Sequence, residues 1–340
     1  MQSSAHSNTS DSQNVIPCLK LIQSELKQVR KIINQQLIFS SKGKKSPKGI
    51  STLLESVRSR SGKMIRPGLV LLSNRAVSGN LSGKNVLQVA ACIEIVHHAT
   101  LLHDDVIDEG MQRRGKPTIN NLWGNESAVL LGDFLLSHVF KLSSELEPEV
   151  INVIARAAVR LCEGELKQIV QKDNWLMSES EYIDVITEKS AALFSYSCYL
   201  GAVLSRANKR QAKILSDYGL NAGIAFQITD DLLDITGDEK RTGKTTGSDA
   251  EKHKPTLAVI HLLKTVDQKT RTKLIKTYLN GNYKQESFIE MLKKSGSLEY
   301  AQKQAQKYVA KAINTLKKLP QSEAKNALIE TAKFMTNRTS

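Results

Sequence analysis

Apolar residues recur at three- and four-residue spacing from Val15 onward, which predicts an amphipathic helix reaching roughly Leu37. The basic stretch SSKGKKSPKG that follows carries Gly, Ser and Pro and reads as an exposed loop. Beyond it the same period predicts helices at about 49–59, 65–77, 84–108, 126–142, 147–172, 179–204 and 208–236. Four or so shorter helices complete the chain. Gly and Asn clusters such as SGNLSGKN punctuate these segments as turns. No segment alternates with the period of a strand, and no repeat of fixed period is present. The pattern predicts one all-α domain over residues 15–340, behind a small, polar, disordered tail at 1–14.

Composition narrows the class. The chain has 340 residues, 40% of them apolar, enough to bury a large core. Aromatics at 5% and only 7 prolines argue against a sandwich or barrel. No apolar run is read as reaching the ~18 residues of a membrane span, and neither a signal peptide nor an Arg-rich transit peptide is expected at the start of the chain. The cysteines Cys18, Cys92, Cys162 and Cys198 form no CxxC pair, so reduced thiols in a cytoplasmic protein are expected. Cys92 and Cys162 sit in apolar helical patterns and read as core residues. The net charge is +14, and residues 251–340 supply +11 of it, with 18 Lys/Arg against 7 acidic residues. A basic surface attracts polyanions, but without clustered aromatics or a recognisable module it reads as Lys-rich solvated helix faces and predicts no nucleic-acid partner.

Two acidic motifs carry the chemistry. LLHDDVIDEG holds Asp104, Asp105 and Asp108, which share one helical face among apolar neighbours. FQITDDLLDITGD repeats the spacing with Asp230, Asp231 and Asp234. One DDxxD is common on solvated helices, whereas two in apolar helices need a neutralising partner, because buried like charges are costly. Oxygen-only ligands on rigid helices suit Mg²⁺, which keeps several waters and shares its sphere with substrate phosphates. Cations stand nearby: Arg113 and Arg114 in QRRGK, Lys63 and Arg66 in GKMIRP, and Lys189, Lys244 and Lys254. Singly each reads as a surface residue; as a set they suit phosphate oxygens.

The segments GKMIRP, IEIVHHATLLHDDVID, RRG, EGELKQ, EKSAALF, GIAFQITDDLLD and TGKTTGSDAEKHKPTL resemble those of the trans-polyprenyl diphosphate synthases, over residues 25 to 330. The resemblance implies an isoprenoid synthase type helical bundle with a central cavity between the two DDxxD helices, assembled as a homodimer. It implies Mg²⁺ as cofactor, held by Asp104, Asp105, Asp108, Asp230, Asp231 and Asp234. Arg113, Lys189, Ser190, Gln227, Lys244 and Lys254 would hold an allylic diphosphate. Lys63, Arg66, His97 and Arg114 would hold isopentenyl diphosphate. Two positions depart from the family pattern. Met64-Ile65 stands where a second cation is common, and Ser190 replaces the usual Thr but keeps its hydroxyl. The implied reaction is ionisation of the allylic diphosphate, attack by the isopentenyl double bond, and proton loss.

Product length follows from the residues one turn below Asp104. Ala99 and Thr100 are both small, where short-chain members of the family commonly place bulky aromatics. They predict an open wall and a product in the range of quinone side chains, hexaprenyl to decaprenyl, unless a residue such as Phe140 closes the tunnel. Ala99→Phe is expected to shorten the product. A product of that length implies transient membrane contact at release. A histidine/aspartate phosphohydrolase built on His97, His98 and His103 leaves the second motif without purpose. A terpene cyclase needs no isopentenyl site, and a non-catalytic subunit typically loses aspartates that this chain keeps.

Overall fold

Helix boundaries in this chain follow local chemistry. Reciprocal capping boxes, Ser178 with Glu181 and Asn208 with Gln211, open two helices, and Pro148 occupies the first turn of a third. The computed structural model describes residues 17–38, 48–59, 62–81, 85–113, 115–237, 254–279 and 285–336. After a 3-10 segment at Pro17–Ile22 come α1 (Gln23–Gln36), α2 (Lys48–Arg58), α3 (Ile65–Ser78) and α4 (Val86–Ile107). A hairpin of β1 (Gln112–Arg113) and β2 (Lys116–Pro117) leads to α5 (Ile119–Trp123), α6 (Asn125–Ser143) and α7 (Pro148–Val170). Then follow α8 (Glu179–Ile186), a π-helical turn (Thr187–Ala191), α9 (Ala192–Leu204) and α10 (Lys209–Thr236). The chain ends in α11 (Leu257–Thr265), α12 (Gln268–Leu279), α13 (Gln285–Lys294), α14 (Ser297–Leu316) and α15 (Glu323–Thr336).

The predicted all-α class holds, with three local corrections. The first helix opens as a 3-10 turn, while the five helices that follow Thr236 among the described residues agree with the four or so expected. The segment expected as one helix over 179–204 is interrupted by the π turn. The expectation of no strands misses the two-residue hairpin, whose register pairs Gln112 with Pro117 and Arg113 with Lys116. It is too short to leave a period-2 signal. The expected tail at 1–14 and most of the expected loop at 40–49 lie outside the described residues.

Two apolar clusters hold the bundle. The larger joins α1, α3, α4, α6, α7, α9 and the first half of α10, with α15 packed over α3. The smaller joins α8, the end of α10, α11, α13 and α14. α4 does reach the length and mean hydropathy, 1.3, of a membrane span, contrary to the sequence reading. Most of it is buried against α3 and α6, as the core helix of a bundle requires. Cys92 is buried as expected, but Cys162 is exposed on α7. Its apolar neighbours there form an outward stripe rather than core, which helical periodicity alone does not distinguish.

The π turn is closely enclosed on two sides. A Cβ on Gly164 of α7 would lie 2.2 Å from the backbone nitrogen of Lys189, and one on Gly223 of α10 would lie 2.6 Å from Ala191 Cα. Two glycines thus let α7 and α10 close on the turn from either side. Such bulges recur at functional sites, and this one carries two of the predicted site residues.

Candidate active site

The last turns of α4 carry Asp104 and Asp105, and Asp108 caps the helix. The chain then reverses sharply. Glu109 takes a left-handed φ of 49°, and the Gly110 N–H donates to the Asp105 carbonyl at 2.8 Å. Thr118 Oγ1 and Asn120 Nδ2 pin the loop by donating to the Gly110 carbonyl at 2.6 and 3.1 Å. The hairpin is thereby turned back along the helix end, and Arg113 Nε meets Asp105 Oδ1 at 2.7 Å. Asp105 is only 6% exposed, so it needs such a partner. Lys254, remote in sequence, donates to Asp108 Oδ1 at 2.6 Å.

The π turn links the two motifs through adjacent residues. Lys189 Nζ donates to Glu165 at 2.7–2.8 Å and to Gln168 Oε1 at 2.6 Å, both on α7. Burial pulls the Lys189 pKa down, but the Asp104, Glu165 and Asp108 carboxylates outweigh it and hold the ammonium above its ordinary value. Burial first, and the Asp104 charge second, raise the Glu165 carboxyl against the pull of Lys189. Asp104, Glu165 and Lys189 therefore sit within one electrostatic cluster. Ser190 Oγ, the next residue, donates to Gln227 Oε1 at 2.7 Å. Gln227 Nε2 in turn donates to Asp231 Oδ1 at 2.7 Å, and Tyr182 Oη donates to Asp231 Oδ2 at 2.6 Å. Asp230 and Asp234 lie half-buried on the same stretch of α10.

The residues expected to bind isopentenyl diphosphate are gathered in part. Arg66 Nη1 lies 3.0 Å from His97 Nε2, and its guanidinium sits 4.6 Å from the centre of the Phe194 ring. Lys63 lies instead over Phe334, 5.6 Å from its centroid. Met64 between them has a left-handed φ of 55° and is buried, which fixes the approach to α3. Arg114 and Lys244 lie outside the described residues. Of the wall pair, Ala99 is completely enclosed, whereas Thr100 keeps accessible surface and donates to the His97 carbonyl at 2.8 Å. Phe140 is 74% exposed on α6. His98 lies 3.5 Å from Glu94, and His103 contacts the Val129 carbonyl at 3.2 Å and Asp133 at 3.6 Å, so the histidine pair and His103 turn to separate neighbours.

Sequence reasoning left Glu165, Gln168, Phe194 and Tyr182 without a role. EGELKQ did contain a signal, since Glu165 and Gln168 stand three apart on one face of α7. Tyr182 left none, because a tyrosine in an apolar helix resembles any core aromatic. Among the described residues no three His, Cys, Asp or Glu side chains converge as a cage. Mg²⁺ needs no such cage, because it binds through one or two carboxylates, several waters and substrate phosphates. The hard oxygen donors of the two motifs fit that demand.

Comparison with known proteins bears on this arrangement. The polyprenyl synthetase family model matches residues 47–295. The chain is 36% identical over 299 residues to the short chain isoprenyl diphosphate synthase of Methanothermobacter thermautotrophicus, covering 86% of this chain and 91% of that one. It is 37% identical over 283 residues to the octaprenyl diphosphate synthase of Escherichia coli, covering 82% and 86%. Its fold is similar to a polyprenyl synthase from Caulobacter crescentus complexed with calcium and isoprenyl diphosphate, with a TM-score of 0.87, 29% identity and coverage of 95% and 97%. A family match over most of the chain, with relatives of this identity, shows that the protein belongs to the polyprenyl synthetase family of prenyl diphosphate synthases.

Proposed function

We propose that this enzyme condenses isopentenyl diphosphate with an allylic diphosphate to build a long all-trans polyprenyl diphosphate, with Mg²⁺ as cofactor. The observation that carries the reading is the π turn, whose consecutive Lys189 and Ser190 reach toward the first and the second aspartate motif. Arg113, Lys189 and Lys254 converge on carboxylates where a diphosphate can take over their N–H donors. A divalent cation held by the two motifs supplies Lewis-acid neutralisation of the departing diphosphate; calcium and isoprenyl diphosphate in the Caulobacter relative support that chemistry. Arg66, over the Phe194 ring and beside His97, suits the second diphosphate. Fixing both reactants in one cavity supplies much of the acceleration.

The small pair Ala99 and Thr100 supports a long product, and because Ala99 is enclosed, Thr100 is the member that meets the growing chain. The test supplies purified protein with Mg²⁺, labelled isopentenyl diphosphate and geranyl, farnesyl or geranylgeranyl diphosphate, then sizes the dephosphorylated products. A ladder ending between hexaprenyl and decaprenyl is expected from the wild type, and a shorter one from Thr100→Phe. A wild-type stop at farnesyl or geranylgeranyl overturns the length, and no incorporation overturns the activity. A homodimer accompanies this reading: Val159, Leu166 and Ile169 form an exposed apolar stripe on α7, the kind of face a second copy covers. Sedimentation is expected to return twice the chain mass, and Val159→Glu with Leu166→Glu the monomer.

A further inference from the structure

Asp231 is held at both oxygens. Gln227, one turn earlier on α10, takes Oδ1 at 2.7 Å, and Tyr182 takes Oδ2 at 2.6 Å from α8. Tyr182 cannot easily swing away. Its ring is buried in the smaller apolar cluster with Trp175, Ile228 and Leu257, and the Ser178–Glu181 capping box fixes the start of its helix. A buried phenol needs an acceptor, but a backbone carbonyl suffices for that purpose. Tyr218, also buried, shows this by donating to the Leu328 carbonyl at 2.6 Å. Aiming the Tyr182 hydroxyl at a buried carboxylate does something more: it fixes the carboxylate plane with a donor that brings no positive charge.

We propose that Tyr182 is a positioning residue for the second aspartate motif, orienting Asp231 so that its negative charge is presented to a divalent cation. An ionised carboxylate has about four acceptor positions, and Tyr182 and Gln227 occupy one on each oxygen. The pair acts on Asp231 as outer partners act on a metal-ligating side chain, setting its direction without replacing it. Through Gln227 the same chain of hydrogen bonds continues to Ser190 on the π turn. The inference rests on the reading of Asp231 as a cation-binding group.

Tyr182→Phe removes the hydroxyl and keeps the packed ring. Calorimetric titration of Mn²⁺ into the full-length protein, holding an unreactive thio-linked allylic diphosphate, is expected to give a Kd about tenfold or more weaker than wild type. Turnover is expected to fall at fixed Mg²⁺ and to recover in part when Mg²⁺ is raised, with the KM for isopentenyl diphosphate unchanged. Adding Tyr182→Phe to Asp231→Asn is expected to weaken Mn²⁺ binding no further. An unchanged Mn²⁺ Kd overturns the proposal, whether or not the melting temperature falls, because a purely structural hydroxyl moves only the latter. If wild type transfers prenyl groups and binds Mn²⁺ while Tyr182→Phe matches it, this inference fails alone. If wild type does neither, the reading of the reaction fails and the inference falls with it.

Discussion

Asp105 and Asp108 end in the grip of cations, Arg113 at 2.7 Å and Lys254 at 2.6 Å, whereas Asp231 is held by a phenol and an amide. The two motifs share one spacing and differ in these contacts. A carboxylate paired with Arg or Lys is stabilised, but its partner competes with any metal. A carboxylate held by neutral donors is oriented while its charge persists. A diphosphate offers Arg113 and Lys254 a more highly charged acceptor, so substrate arrival can free the first motif, while Asp231 stands oriented beforehand. Under the proposed function, this contrast predicts cation binding coupled to substrate at the first motif, with Asp231 of the second already oriented by Tyr182 and Gln227.

The largest effect expected from breaking the comparison is at Asp104, whose charge helps sustain the raised Lys189 pKa. Asp104→Ala should lower kcat by on the order of 100- to 1,000-fold, read by steady-state turnover with saturating substrates. Near-normal activity would refute its place in the site. Lys254→Met is next and splits in sign. It should raise the KM for the allylic diphosphate by about 10- to 100-fold, the equivalent of a charged hydrogen bond. Because it relieves Asp108 of a competing cation, Mn²⁺ binding without substrate should tighten; unchanged or weaker binding would show that Lys254 does not compete. The smallest effect is expected from Ser190→Ala, which removes one neutral hydrogen bond to Gln227. A loss of about 0.5–1.5 kcal/mol should appear as a several-fold drop in kcat/KM for the allylic diphosphate. Ser190→Thr should restore it, since the hydroxyl is kept.

Much of the site was legible beforehand because its chemistry is local in sequence. Three carboxylates at helical spacing in apolar company signal a shared face, and Gln227 lies one turn before Asp231 on α10. The hairpin was illegible because two residues per strand leave no period, yet it is what returns Arg113 to Asp105. The π turn was illegible for another reason. Its residues are ordinary helix formers, and the close approach of two helices to it depends on Gly164 and Gly223, far apart in the chain.

Cys162 and Ala99 mark the same boundary. Periodicity put Cys162 on an apolar face and helix geometry put Ala99 and Thr100 one turn below Asp104, but neither says whether a face meets the interior or the outside, nor which of two small neighbours is enclosed. The chain by itself determined the helices, the paired aspartate motifs and the supply of cations, since each depends on residue type and spacing within a few turns. Only the tertiary structure decided that Lys254 meets Asp108 and Tyr182 meets Asp231. Those partners come from different helices and loops, and the packing of side chains between them, not their position in the sequence, sets the distance between their atoms.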